Sequence, residues 1–464
     1  MPKRNLILLV LAGAVSVVAW VAREHGRQAG RVAEVLAAVE RSYYRPVDPE
    51  ALASAAVEGV VGRLDEHSAF VVGDARRELE AALDQEFGGV GLELTADDAG
   101  IVVHDTLFGA PAARAGVAAG ARITAIDGVD ARGLSLRDAV AALRGPAGST
   151  VRLGLLSAGP APEIDGAGGG AEPREVALVR ETVRTASVLG DRRRADGSWD
   201  WFVEGEPGVA LVRITGCGDH TLEDLDAALA AIASADGVRG LVIDLRGNPG
   251  GLLSVAVEIC DRFLETGVIV STRRGGGAAE PRRAAPGQVL AGVPVAVLVD
   301  GLTASAAEVV AAGLQDHGRA VVVGSRSFGK GTVQAILPLS DGSGLLKLTT
   351  AEYLRPAGGG LHRRPGAVDW GVAPDAGHEI DVPAQARAAL EAWRRRRDRV
   401  PGSPDGPAGS AADLPRFIDP VLRRALVALG LPNADLGREE ETARDAHEPL
   451  PAGDPAGPGD GVGG

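Results

Sequence analysis

Apolar positions at Val32, Val35, Leu36 and Val39 recur at spacings of three and four, which predicts a helix that Tyr43, Tyr44 and Pro46 end. A second helical pattern covers Glu50 to Leu64, with Leu52, Ala56, Val57, Val60 and Val61 on one face, and the segment LDEHSAFV (Leu64 to Val71) reads as a turn. From Phe87 the pattern shortens to β runs, GGVGLELT, IVVHDTL and REVALVRETV, with a helix at Ser135 to Leu143 and turns at Gly116, Gly120 and Gly128. That mixture predicts a small α+β barrel, with Ser157 to Pro173 as a long hairpin loop inside it. After Asp191 an α/β pattern takes over. GVALVRIT, LVIDL and VPVAVLVDG are continuous apolar runs of the kind a sheet covered on both faces requires, and Thr221 to Ala235 is an amphipathic helix with Thr221 as its expected N-cap. Past Arg394 the text turns to Arg, Pro, Gly and Asp, interrupted by one short apolar helix, Leu414 to Leu431.

These patterns divide the chain into residues 1–26, a helical segment 27–86, the small barrel 87–185, an α/β core 186–390, and a tail 391–464 expected to be mostly disordered. The first part changes the picture of where the protein works. Lys3 and Arg4 precede the apolar run Leu6 to Ala22, which reads as an uncleaved signal anchor, with a cleaved signal peptide as the alternative. The expected localisation is the cell membrane, single-pass, with the folded part on the extracytoplasmic (periplasmic) side.

The charge is −14, with 48 basic against 62 acidic residues, and only 3% of the chain is aromatic, so nucleic acid is excluded as a partner. The two cysteines, Cys217 and Cys260, could pair in an oxidising compartment but read better as small buried hydrophobes. His67 lacks a Cys, His or carboxylate cluster at metal spacing, so a turn residue is expected there, and neither a metal nor a cofactor is expected anywhere.

The candidate chemistry lies between Val299 and Gln334. Ser305 opens the apolar run AAEVVAAGLQ, and SFGKG places Lys330 between two glycines. A serine hydroxyl needs a neighbouring base, and a lysine serves only if burial lowers its pKa; taken alone, Lys330 reads as a turn residue. RGNPGG reads as a tight strand–helix turn that can also present unpaired amides at a helix N-terminus, as an oxyanion hole does. It lacks the Gly-Lys-Ser/Thr ending of a phosphate loop. His317 lies twelve residues past Ser305, about 18 Å along one helix, so a triad through it is excluded, and no GxSxG elbow is present. In the barrel, Gly88, Gly89, Val90, Gly91 and Leu92 form an open glycine-rich loop beside a strand edge, suited to capturing a peptide carboxylate by β-augmentation.

Taken in order, LDEHSAF, FGGVGLEL, VIDLRGNPGGLL, ASAAEVVAAGLQDHGRAVVVG, FGKGTVQ and AEYLRP resemble the carboxyl-terminal processing peptidases, tail-specific serine proteases with an embedded PDZ domain. The resemblance covers about Val32 to Val382. It implies a crotonase/ClpP-like α/β core with an inserted PDZ domain, Ser305 as nucleophile, Lys330 as general base, and Gln334 orienting the lysine. It also implies an oxyanion hole from the N–H of Ala306 and of Gly250 or Gly251, and protein or peptide substrates with free C-termini. The chain departs from the family at Ala307, where a second serine is common, and in the longer segment GGGLHRRPGAVDWGVAPD. Arg144 either couples the PDZ unit to the active site or forms a surface salt bridge. A homo-oligomer or an activating partner stays open. So do a catalytically silent PDZ scaffold and an acyl-CoA-handling enzyme of crotonase type.

Overall fold

The computed structural model describes residues 27–156, 174–399, 417 and 419–431. The hairpin loop 157–173 and nearly all of 400–464 lie outside the described residues, as does the expected anchor, 1–26. Among the described residues no helix is long and apolar enough to cross a membrane. That finding runs against the single-pass anchor, and the cell-membrane localisation read from the sequence is withdrawn.

The described residues form two compact units, one from the stretches Met1–Glu78 and Gln334–Thr350, the other from Leu79–Val333 and Ala351–Gly464. In the smaller unit, helical backbone runs through residues 27–42, and a second helix spans Pro49–Val61. Asp48 caps it by accepting a hydrogen bond from the Glu50 N–H at 3.0 Å, and Pro49 has no N–H to satisfy. The helix ends at Val61 rather than Leu64 because Gly62 forms the C-cap. The LDEHSAFV segment is the expected turn: Asp65 Oδ1 accepts from the N–H of His67 and Ser68, and the strand Ala69–Val71 then pairs antiparallel with Leu345–Lys347.

In the larger unit the central sheet runs in the order Val188–Leu189, Val209–Ile214, Gly240–Asp244, Val295–Val299, Ala320–Gly324. The first pair is antiparallel and the other three are parallel. Every residue of Val209–Ile214, Gly240–Asp244 and Val295–Val299 is buried, which explains a sequence that is apolar except for the buried Arg213 and the terminal Asp244. One face carries Val212, Ile214, Ile243, Val297 and Val299, packed against the helices Thr221–Ala233, Leu253–Asp261 and Ala306–Asp316. The opposite face carries Leu211, Val242, Ala296 and Leu298, covered by Val421, Ala425, Leu426 and Leu429. Those four come from the helix Pro420–Ala428 and its C-cap.

The tail reading therefore needs correction. Residues Ala384–Asp398 form one helix, so the boundary placed at 390/391 falls inside it, and Pro420–Ala428 is the lid of the second sheet face. Parallel sheets are covered on both faces, and Val421, Leu426 and Leu429 each contribute about 1.5–3 kcal/mol by burial there, Ala425 less. Thr221 also differs from expectation: His220 is the N-cap, and the Thr221 hydroxyl instead accepts from the Gly218 N–H (2.9 Å) and reaches the Gly216 carbonyl (3.2 Å). Cys217 and Cys260 are free and buried, so no disulfide joins them.

The barrel precedes the sheet in the chain. Its strands run Leu92–Asp97, Gly100–Thr106, Arg122–Ile126, Thr150–Leu156, Arg174–Val179, and a second small sheet pairs Glu86–Gly89 with Glu181–Arg184. Ile101, Val103, Ile123, Val151 and Leu153 fill its separate core. The helix Leu136–Leu143 starts where Ser135 accepts from the Asp138 N–H. Its C-terminal carbonyls, those of Ala142 and Leu143, are satisfied by Arg180 at 2.9 and 3.0 Å.

Candidate active site

Asp244 ends a central strand and is buried with Arg246, Arg394 and Asp419. Two carboxylates and two guanidiniums balance, and the cluster ties both C-terminal helices to the start of the RGNPGG turn. Burial alone would raise the Asp244 carboxyl, but Arg246 and Arg394 outweigh it and hold it below the ordinary range. Asn248, fully buried, then fixes the turn from both ends. Its Nδ2 donates to the Ile214 carbonyl (2.9 Å), and its Oδ1 accepts from the Gly250 N–H (2.8 Å).

Gly250 (φ +99°) and Gly251 (φ +140°) adopt conformations that L side chains rarely take. A Cβ on Gly250 would stand 2.8 Å from Ser305 Cβ and 2.9 Å from Ala306 N, so this turn lies directly against the helix that Ser305 opens. A cavity of about 330 Å³ adjoins it, bordered by Ala81, Gln85, Ala186, Cys217 and the two glycines.

Ser305 sits between the strand Val295–Val299 and the helix Ala306–Asp316 at φ +56°, ψ −119°. Positive φ at a non-glycine residue stores strain, and here it falls on the residue that opens the helix. Residues Asp300 to Ala304 separate Ser305 from the preceding strand, so it is a helix-opening serine and not a GxSxG elbow. The strain is held by Glu308, 0% exposed, whose Oε2 accepts from the Ser305 N–H at 2.8 Å. The same oxygen accepts from the Lys330 N–H at 2.8 Å, while Oε1 takes the Gly329 N–H (2.7 Å) and the Ser327 hydroxyl (2.5 Å). Burial pushes the Glu308 carboxyl above its ordinary value, against the pull of these four donors.

Lys330 lies in the loop before the strand Thr332–Pro338, flanked by Gly329, whose carbonyl accepts from Arg363 N–H, and Gly331, whose carbonyl accepts from Tyr353 N–H. The lengthened segment after Arg355 thus packs on the lysine turn, and Trp370 sits between the guanidiniums of Arg326 and Arg363 at 4.8 and 4.9 Å. Gln334 belongs to the smaller unit, where its Nε2 donates to Thr349 Oγ1 at 3.2 Å. His317 is the C-cap of the Ser305 helix, and its Nε2 is bound at the Val268 carbonyl (2.7 Å).

Of the two glycines left open as amide donors, Gly250 gives its N–H to Asn248, whereas the N–H groups of Gly251 and Ala306 meet no acceptor among the described residues. In the barrel, a groove of about 70 Å³ is lined by Phe87, Gly89, Val90, Gly91, Leu92, Val140, Leu143 and Arg144. Gly88 is not part of it: its carbonyl accepts from the Gly145 N–H, and a Cβ there would collide with the Gly145 carbonyl. Arg144 stacks 5.4 Å over the Phe87 ring at the groove's edge.

The core is a buried, largely parallel sheet with a serine opening one of its covering helices, and a small separate barrel with a shallow groove precedes it in the chain. Residues 208–377 match the model of Peptidase family S41, and residues 79–156 match that of the PDZ domain. The chain is similar to the carboxy-terminal-processing protease of Bartonella bacilliformis, 34% identical over 400 residues, covering 84% of this chain and 85% of that one. It is also 34% identical over 317 residues to the carboxyl-terminal-processing protease of a Picosynechococcus species, covering 67% and 71% of the two chains. Among solved structures, the photosystem II D1 C-terminal processing protease matches with 27% identity and a TM-score of 0.43, over 81% of this chain and 97% of that one. The chain belongs to the carboxy-terminal processing proteases of peptidase family S41, and is a serine-type peptidase with an embedded PDZ domain.

Proposed function

We propose that this protein cuts protein substrates near their free C-termini, with Ser305 as nucleophile and Lys330 as general base. The observation that carries the reading is the convergence of the Ser305 and Lys330 backbones on one buried oxygen of Glu308. Both nitrogens stand 2.8 Å from it, so the two residues are at most twice that distance apart at their backbone nitrogens.

Lys330 takes the hydroxyl proton as Ser305 Oγ attacks the scissile carbonyl. The N–H groups of Gly251 and Ala306 receive the developing oxyanion. The amine leaves with the proton, and water releases the acyl group from Ser305 in the second half of the cycle. The substrate's terminal carboxylate lies at the loop Gly89 to Leu92, and its strand pairs beside that loop. The cleft beside Gly250 and Gly251 leads the chain to the nucleophile.

The test is Lys330→Ala in the full chain, assayed on peptides with free and amidated C-termini. Turnover should be abolished with the melting temperature unchanged, and a serine-directed covalent reagent should label Ser305 only in the parent protein. Retained cleavage by the variant would refute the dyad.

A further inference from the structure

The hairpin of Arg192–Arg193 and Trp199–Asp200 has no part in the mechanism above. Arg193 stands directly opposite Trp199 across its two strands, so the guanidinium lies over the indole, 3.9 Å from a ring centroid, and 5.5 Å from that of Phe108 in the barrel. Phe108 is nevertheless 60% exposed. Arg193 and both rings border a cavity of about 260 Å³, together with Leu107, Leu189 and Glu93.

Most charges around this cavity are paired. Arg184 is bound to Asp224 at 2.7 Å, Arg399 to Asp105 at 2.8 Å, and Asp398 to Arg213. Two are not. Among the described residues Arg193 forms no ion pair; its Nη1 donates to the Gly197 carbonyl at 2.6 Å, and its Nε is buried without an acceptor. Glu93 likewise has no ion pair there. Loss of water pulls the Arg193 pKa below the ordinary value, and loss of water together with the Asp105 charge pushes the Glu93 carboxyl up. A cation and a carboxyl group, each short of a partner, thus line one apolar-walled space.

We propose that this cavity binds a short peptide with free ends, its terminal carboxylate at Arg193, its amino group at Glu93, and an apolar side chain against Leu107, Phe108 and Trp199. An inorganic anion would satisfy Arg193 and leave Glu93 unpaired, whereas a peptide carries both charges. The space falls just under the roughly 300–1,000 Å³ of ordinary small-molecule sites, so it takes about one or two residues. Peptides of that size are what cleavage and trimming at a C-terminus release, and this identification of the occupant rests on the proposed function. The site lies outside the barrel groove, yet the two are joined: Leu107, which lines the cavity, donates its N–H to the carbonyl of Gly91 in the groove loop at 2.9 Å.

The experiment illuminates the full chain with the dipeptide alanyl-photoleucine, whose diazirine cross-links to its surroundings, and locates the label by mass spectrometry. Label is expected on the segments carrying Leu107 and Phe108, Leu189 or Trp199, rising to saturation with dipeptide concentration. It should fall by at least about 10-fold for the C-terminal amide, and equally for Arg193→Met, the scale of a lost charge-assisted bond. Label at Gly89 to Leu92 in the groove should survive Arg193→Met and so report that the variant is folded. If that variant misfolds, the comparison of acid and amide on the parent protein decides alone. Three results overturn the proposal: no label in the cavity, equal labelling by the amide, or inorganic phosphate competing as well as unlabelled dipeptide, which would make this a plain anion site. Carboxylate-dependent label in the cavity with none at the groove supports the site and counts against the C-terminal capture proposed above.

Discussion

The backbone nitrogens of Ser305 and Lys330 each lie 2.8 Å from the same atom, Oε2 of Glu308. Twenty-five positions separate these residues in the chain, and one buried carboxylate joins them. The arrangement is rigid because Glu308 is three residues into the helix that Ser305 opens, the position from which a glutamate side chain returns to its own N-cap. The second oxygen extends the clamp to Gly329 and Ser327, and Ser327 in turn accepts from the Val372 N–H at 2.7 Å.

Glu308→Gln should therefore disable the enzyme more than it destabilises the fold. The amide presents NH₂ where one oxygen now accepts two donors, leaving those donors buried and opposed. Each unsatisfied group costs about 1–3 kcal/mol. Denaturant unfolding should show a loss of about 2–5 kcal/mol. Peptide turnover should fall by at least about 100-fold, the scale expected when an electrostatic constellation is misplaced. Turnover near that of the parent would show that the clamp is dispensable.

Asn248 sets the other wall. Its side chain joins the Ile214 carbonyl to the Gly250 N–H, and its backbone carbonyl accepts from the Ala304 N–H at 2.9 Å. Asn248→Ala leaves a buried donor and a buried acceptor without partners and frees the turn. We expect a stability loss of about 2–4 kcal/mol and, on the proposed oxyanion role of the neighbouring amides, a fall in kcat with little change in KM. A purely structural role would lower the melting temperature and leave kcat of the folded fraction intact.

The PDZ groove depends on Arg180, whose guanidinium donates to the carbonyls of Ala142, Leu143 and Thr150 and to the Ser149 hydroxyl. These hold the last turn of the helix whose Val140 and Leu143 line the groove. Arg180→Met should weaken binding of a labelled free-carboxylate peptide by at least about ten-fold, roughly the effect of losing one or two buried charge-assisted bonds. Fluorescence anisotropy measures this, with the amidated peptide as the control that neither protein binds. Labelling of Ser305 by a small phosphonate, which needs no groove, should be unaffected.

Much of this was legible because burial writes itself into sequence. Val209–Ile214, Gly240–Asp244 and Val295–Val299 read as strands because both of their faces are covered, which leaves them almost wholly apolar. The covering helix Pro420–Ala428 read as a helix, but its docking did not, because nothing local says which distant surface four aliphatic side chains will meet. The positive φ of Ser305 carries no sequence mark, since strain at a non-glycine residue is imposed by its surroundings. Glu308 did carry one: serine followed three residues later by glutamate is a helix-start signature, hidden here inside an alanine-rich run.

Acidification should silence the enzyme before it unfolds it, because the carboxylates at the site and beneath it shift in opposite directions. Burial raises Glu308, so the folded protein takes up that proton more readily than the unfolded chain. Lowering the pH through the window between its ordinary value of 4.5 and the raised one therefore costs no stability through this group, while it removes an acceptor from the clamp on Ser305 and Lys330. Asp244 and Asp419 behave in the reverse sense. Burial would raise them, but Arg246 and Arg394 hold both below the ordinary 3.8. Their contribution is present above 3.8 and is lost only as the pH falls through the depressed values, where both C-terminal helices lose their anchor. Turnover and circular dichroism followed together from neutrality downward should show activity lost at higher pH than helical signal. Asp419→Asn should narrow that gap by moving the unfolding limb upward while leaving the activity limb in place. Coincident limbs in the parent protein would mean that Glu308 does not govern the acid side of the reaction.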